Sequence, residues 1–403
     1  MQKKIIALAI AAAFAAPVVA LADTANVVIY GNINMSADSV TGNVGPASPT
    51  AAPMGIDEQR TRISSNNTYL GFKGAEDLGD GVSAVWQYET AISFDKQSPD
   101  TVAAPTASDG AQTRRNTFAG LSSKALGTLT LGLQDTPVKT STGPLDVFTN
   151  TLADYRAVFA SSAAAAAPVP AYSSSKRAEN SAMYVSPSLG GVTVKAMYAA
   201  QNEAGNGSIE NPSFYSGSVS YNADGIYAVV ASEIAKTSAV SVANGVTPAA
   251  AGSDLTYVQT TRLGLGYTMG DATLGVAYEK NKNSTTANNA SFTNINQNGD
   301  FVDANAYYLS AKFKMGNDSL MAAYTKRSDN IANTVEHDGA TQWTLGVDHA
   351  MSKRTSVYAL YSSVHNDLYG TYSLGGGATG IATVPSLAGG NASGLSLGLN
   401  HKF

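Results

Sequence analysis

Ala392-Ser393-Gly394-Leu395-Ser396-Leu397-Gly398-Leu399-Asn400-His401-Lys402-Phe403 closes the chain. Leu395, Leu397, Leu399 and Phe403 fall on one parity, and Ser396, Gly398, Asn400 and Lys402 on the other. A period of two means a strand with one apolar and one polar face. A last strand exposes unpaired N–H and C=O groups unless something pairs with it. The natural partner is the first strand, Asn26 to Met35, in which Val27, Ile29, Ile33 and Met35 share a parity. Pairing the two ends closes a barrel.

The composition agrees with a barrel in lipid. Charged residues make up 14% of the 403, against roughly a quarter in soluble proteins. A helical membrane protein needs about 20 consecutive apolar residues per span. Beyond the N-terminal segment no such run exists: the longest alanine run, Ala163 to Ala167, is short and is followed by Pro168 and Pro170. Alternating strands, half facing lipid and half facing water, reconcile low charge with the missing helix. The 38 glycines suit turns and tight strand packing, and the 20 tyrosines suit membrane interfaces.

Residues 1–22 read as a secretory signal, with Lys3 and Lys4 as the basic region, Ile5 to Val19 as the apolar core and Ala20-Leu21-Ala22 as the cleavage site. Removing Lys3 and Lys4 from 25 basic residues set against 30 acidic ones moves the net charge from −5 to −7. An acidic, exported chain is a poor nucleic-acid binder. With no Cys, no disulfide is available.

Along residues 23–403 one unit repeats: a strand, a short Gly-containing turn, a strand, then a long polar connection. Short turns are predicted at Glu76–Gly81, Lys124–Gly127, Pro187–Gly191, Asn222–Gly225, Met269–Asp271, Met315–Asp318 and Met351–Arg354. Long connections fall near residues 37–58, 95–111, 135–178, 201–212, 238–254, 282–302, 328–339 and 365–391. Together they join sixteen antiparallel strands, with short periplasmic turns at one end and long extracellular loops at the other. Sixteen strands leave an aqueous lumen, whereas eight are filled by side chains. A soluble all-β sandwich has the same periodicity with its faces reversed.

Several runs make the chain resemble a known family: Leu70-Gly71-Phe72-Lys73-Gly74-Ala75-Glu76-Asp77-Leu78-Gly79-Asp80-Gly81, Phe118-Ala119-Gly120-Leu121, Gly127-Thr128-Leu129-Thr130-Leu131-Gly132, Arg177-Ala178-Glu179-Asn180-Ser181-Ala182-Met183-Tyr184-Val185-Ser186-Pro187 and the closing Phe403. In this order and spacing they resemble the general porins of Gram-negative bacteria, most closely the neisserial and β-proteobacterial type. The resemblance covers the whole chain after the signal. It implies a homotrimer of sixteen-stranded transmembrane β-barrels in the outer membrane and passive diffusion of small hydrophilic solutes and ions. It also implies that Phe403 belongs to the signal read by the barrel-assembly machinery. The third long loop, about 135–178, is expected to fold into the lumen as the constriction. It carries Asp135, Asp146, Asp154, Lys139 and Arg156 together with Phe148, Tyr155 and Phe159. A loop of that length is uncommon unless functional or disordered.

The family sets this acidic loop against a basic ladder on the opposite wall, and lumen charges set ion selectivity. Two ladder positions lack their cation here: Tyr69 precedes the Leu70-Gly71-Phe72-Lys73-Gly74 run, and Leu133 follows Gly132. Arg177 remains basic. The expected constriction lining is Arg60, Arg62, Tyr69, Gln134, Asp146, Asp154, Arg177 and Lys195. Arg60 and Arg62 share the parity opposite to Ile63, Lys195 opposes Val194, and of the adjacent Arg114 and Arg115 only one can point inward. A depleted ladder facing intact loop acids favours cations. Tyr69 and the loop aromatics also suit sugar-like or aromatic solutes.

The four histidines, His337, His349, His365 and His401, lack metal-ligand spacing. No Gly-x-Ser-x-Gly elbow is present. No catalytic residue, metal or cofactor is therefore expected. The alternatives to a general diffusion channel are a substrate-selective channel and a plugged structural or adhesive barrel.

Overall fold

The computed structural model of the chain describes residues 27–42, 58–92, 94–95, 115–160, 174–200, 213–237, 256–284, 302–329, 337–375 and 389–403. The expected signal segment, 1–22, and Arg114 lie outside them, as does the alanine run of the third loop. Among the described residues no helix is long and apolar enough to cross a membrane.

The wall begins with β1 (Val28–Gly42), β2 (Glu58–Ser65), β3 (Tyr69–Gly79), β4 (Val82–Ala91), β5 (Thr117–Ser123), β6 (Gly127–Asp135), β7 (Arg177–Val185), β8 (Val192–Ala200) and β9 (Ser213–Ala223). It continues through β10 (Ile226–Thr237), β11 (Thr256–Met269), β12 (Ala272–Ser284), β13 (Val302–Met315), β14 (Asp318–Arg327), β15 (Ala340–Ala350), β16 (Thr355–Asn366) and β17 (Asn391–Lys402). These 17 segments make sixteen wall strands, because β2 and β3 follow one another along β1: Met35–Gly42 pair with β2, and Val28–Asn32 pair with β3. The interruption falls at Asn67, whose φ of 57° lies in the left-handed region that Asn tolerates. All pairings are antiparallel, and β1 pairs with β17 from Asn32↔Lys402 to Gly42↔Ala392, closing the barrel. Closure satisfies the backbone without an edge, as spanning lipid requires. The last residue joins too: Gly31 N–H donates to Phe403 O at 3.0 Å, and Phe403 N–H donates to Gly31 O at 3.1 Å.

The faces are inverted relative to a soluble protein. On β17, Leu397 is 55% exposed on the outside while Ser396 is fully buried inside. The same holds around the wall: Leu131, Leu265, Leu309 and Leu345 point out, while Thr130, Arg262, Ser310 and Thr344 are buried within. This rules out the sandwich arrangement. Two of the two-residue hairpins take positive φ at both central residues, at Asp80-Gly81 (51° and 75°) and Asp224-Gly225 (52° and 77°). Such turns match the right-handed twist of the flanking strands.

Two boundaries differ from the sequence reading. Residues 37–42, expected in a loop, extend β1. Their small and polar composition suits a wall whose inner face is wet: Asp38 is buried and accepts from Ser64 Oγ and Ser396 Oγ, both at 2.6 Å. Glu76 and Asp77, expected in a turn, lie on β3 just before a register shift between Asp77 and Gly79.

Candidate functional site

The third loop leaves β6 at Asp135, and its described residues, 136–160 and 174–176, precede β7. It opens with α1 (Pro137–Ser141), capped by the Thr136 side chain accepting from Lys139 N–H, with Pro137 at the first turn where no N–H is missed. A 3-10 turn, Gly143–Leu145, and the single-turn α2 (Arg156–Phe159) follow.

Inward-facing side chains of the wall hold the loop backbone from Val138 to Phe159. Val138 N–H donates to Ser216 Oγ at 3.3 Å, and Ser310 Oγ donates to Leu145 O at 2.7 Å. Gln342 Nε2 donates to Ala153 O at 3.3 Å, and Arg327 Nη1 to Phe159 O at 2.7 Å. The loop aromatics explain why a lumen segment is so apolar. Tyr155 stacks on Tyr308 with centroids 4.1 Å apart, beside Leu145 and Phe159. Phe148 and Leu152 pack with Val40, Tyr358, Leu360 and Val364 from β1 and β16. The final long connection joins the same cluster through Tyr372 and Leu374, and Gly375 N–H donates to Leu152 O at 3.0 Å.

The strongest anchor is one the sequence did not single out. Arg262 and Glu279, on neighbouring strands β11 and β12, are both fully buried and ion-paired. Arg262 Nη1 also donates to Val138 O (2.8 Å) and Thr142 Oγ1 (3.2 Å), and Nη2 to Ser174 Oγ (2.9 Å). Ser174 Oγ donates to Glu279 Oε2 at 2.8 Å. Arg327 Nη1 stands 3.7 Å from Glu279 Oε1. One guanidinium thus ties the start and the end of the loop to the wall.

The residues expected to line the constriction fall into different settings. Arg60 and Arg62 sit on the inner parity of β2; Arg62 Nε pairs with Asp38 at 3.2 Å, and Arg60 is exposed. Gln134 is 1% exposed, accepting from Thr130 Oγ1 and donating to Ser181 Oγ, which makes it wall rather than bore surface. Asp154 is buried and bidentately bound by Arg156, whereas Asp146 Oδ1 accepts from Phe148 N–H at 2.9 Å. Arg177 Nε pairs with Asp135 at 3.0 Å, and Lys139 Nζ pairs with the same carboxylate oxygen at 2.6 Å. Lys195 Nζ donates to Thr140 Oγ1 at 3.4 Å.

Tyr69, expected to leave a ladder position without its cation, has one beside it. The Arg115 guanidinium lies over its ring, 4.4 Å from the centroid, with Nε donating to Glu89 Oε2 at 3.3 Å and Nη1 to Asn67 Oδ1. A cation from the approach to β5 therefore stands over the aromatic of β3. Sequence spacing gives no sign of this, because the two positions are brought together only by the pairings of β3, β4 and β5.

Burial and the neighbouring Asp154 push the Asp146 carboxyl up to about 7, with Arg156 opposing. A carboxyl whose pKa is raised in the docked loop holds its proton more tightly there than in a released loop. Docking is thus strongest below the ordinary carboxylate range, and the contribution is lost as pH rises through about 7. Channel noise from loop motion is expected to increase progressively from about pH 4 to about pH 7, between the ordinary carboxylate value of 3.8 and the docked one, and to become flat in Asp146→Asn. An unchanged pH profile in that variant would remove Asp146 from the docking equilibrium.

Among the described residues no group of three or more potential metal ligands occurs. Residues 7–369 match the family described as Gram-negative porin. The chain belongs to that family. Among curated relatives, the major outer membrane protein P.IA of Neisseria meningitidis is 35% identical over 106 residues, covering 23% of this chain and 26% of its own length. The chain thus spans about a quarter of the P.IA relatives it matches. Among solved structures, the anion-selective porin from Comamonas acidovorans superposes with a TM-score of 0.70 at 22% identity, over 94% of this chain and 100% of that one. The trimer form of OmpT from Vibrio cholerae superposes with a TM-score of 0.60 at 16% identity, over 94% and 100%. Both share the barrel fold with this porin.

Proposed function

We propose that the protein is an outer-membrane diffusion channel, not an enzyme, passing small hydrophilic solutes and ions through the space that the third loop leaves in the barrel. The observation that carries this reading is the pairing of an apolar exterior with a polar, charged interior on a closed sixteen-stranded wall. Such a wall stabilises water inside and lipid outside without any energy source. The trimer form of the Vibrio cholerae neighbour supports a homotrimer here. Phe403, paired to Gly31 at the barrel seam, is well placed for its proposed part in the assembly signal.

The sign of selectivity follows from the charges beside the loop. Tyr69 and Leu133 alone imply cation preference. The geometry supports the opposite sign. Arg115, Lys139, Arg156, Arg177 and Lys195 gather around the carboxylates of Glu89, Asp135 and Asp154. Five cations stand against four carboxyl groups once Asp146 beside Arg156 is counted, and one Asp135 carboxylate is shared between Arg177 and Lys139. Reversal potentials in a planar bilayer under a KCl gradient are expected to show chloride preference, reduced in Arg115→Gln. A cation-selective reversal potential would overturn this charge assignment while leaving the channel intact. A folded barrel without conductance would favour the plugged or adhesive reading.

A further inference from the structure

Four side chains on the β1–β5 side of the lumen form a continuous lane, a cation at each end and two aromatic rings between. Arg115 lies over Tyr69 at 4.4 Å. Tyr69 meets Tyr30 edge-to-face with centroids 6.3 Å apart. The Lys73 ammonium lies over Tyr30 at 5.0 Å. Tyr30 is held in place from β1 by crossing Gly71 of β3, where any Cβ would overlap its ring, and by donating from its hydroxyl to Glu89 Oε1 at 2.8 Å. Glu89 also holds Arg115, so one carboxylate fixes both ends of the aromatic pair.

The lane is not satisfied internally. Among the described residues, Arg115 uses Nε and Nη1, leaving Nη2 without a hydrogen bond, and Lys73 is exposed and donates no hydrogen bond. Two unfilled cationic donors separated by two tyrosine rings form a specific chemical pattern. A carboxylate satisfies the donors better than chloride does, because it accepts directional hydrogen bonds. A flat ring takes over the stacking that the ammonium relinquishes when it swings to the carboxylate. We propose that this lane is a low-affinity binding site for small aromatic carboxylates, which pass along the wall from one cation to the other. The proposal rests on the channel reading and narrows its solute class.

The test uses the processed full-length protein in a planar bilayer, with benzoate and cyclohexanecarboxylate as probes of equal charge and similar size. Conductance in KCl is measured first, and bi-ionic reversal potentials then give relative permeability. The expected result is benzoate favoured by about threefold, the factor that one weak ring–ring contact supplies. This advantage is lost in Tyr69→Leu and weakened in Lys73→Gln, while both variants still conduct KCl. Lys73 is exposed, so its variant provides the test if Tyr69→Leu fails to fold. Normal KCl conductance with equal permeability to the two acids overturns the lane and leaves the channel reading standing. The lane also falls if the benzoate advantage survives both substitutions. Absence of KCl conductance overturns the channel reading and the lane with it.

Discussion

Arg262→Met is expected to release the third loop from the wall while leaving the barrel standing. The side chain makes no contact with lipid, and its removal leaves the strand pairing of β11 with β10 and β12 untouched. What disappears is the bridge from Val138 O and Thr142 Oγ1 at the start of the loop to Ser174 Oγ at its end. The partner left behind is a fully buried carboxylate, Glu279, with Ser174, Asn281 and the more distant Arg327 near it. Breaking one side of a buried ion pair destabilises by about 3–5 kcal/mol, mostly through the uncompensated charge. The energy falls on loop docking, because the loop is the element that can move. Single-channel records of the variant are expected to show larger, noisier openings. Trypsin is expected to cut at Lys139 or Arg156, which the docked loop largely buries. The double variant Arg262→Met/Glu279→Gln removes the stranded charge and is expected to recover part of the quiet state. If Arg262→Met keeps quiet openings and resists trypsin, the anchor lies elsewhere in the loop, with Arg327 and Ser310 the next positions to test.

The barrel was legible in the sequence because its determinants are local. Parity along Leu395 to Phe403 and the Gly-containing turns at Asp80-Gly81 and Asp224-Gly225 are each read within a dozen residues, and they place the wall correctly. The end of β1 was missed for an instructive reason. Ala37 to Gly42 looks like loop composition by the standards of a soluble strand. In a wet lumen, however, Asp38 and Ser36 are proper inward residues, and Ala37 faces lipid. The docked third loop was legible only as a segment. The length and aromatics of the third loop mark it, but the pairs that place it join residues far apart in sequence. Arg262 reaches Val138 across 124 positions, and Arg327 reaches Phe159 across 168. Arg115 standing over Tyr69 is the same kind of event, since register across three strands decides which side chains meet.

Leu397→Arg is expected to separate a lipid-facing wall from every soluble alternative. Leu397 is half-exposed in the middle of β17, opposite Ala37 on β1 and Ala359 on β16. On a soluble surface a long polar side chain at such a position changes stability within about 0.5 kcal/mol. On the lipid face of a barrel, an arginine near the bilayer midplane costs about 2–4 kcal/mol, falling toward zero at the interfaces. The neighbouring residue gives the complementary control. Ser396 is fully buried and donates to Asp38 Oδ1 at 2.6 Å, and Asp38 in turn receives Arg62 and Ser64. Ser396→Leu removes one donor from a buried carboxylate and sets an apolar chain among charged neighbours, a loss of about 1–3 kcal/mol. Thus the apolar-to-charged change hurts outside and the polar-to-apolar change hurts inside, the reverse of what a soluble sandwich would show. Guanidinium unfolding of the protein in phosphocholine vesicles measures both. If Leu397→Arg is neutral there, the outer face at β17 is not in lipid, and the seam between β17 and β1 must be covered by protein instead.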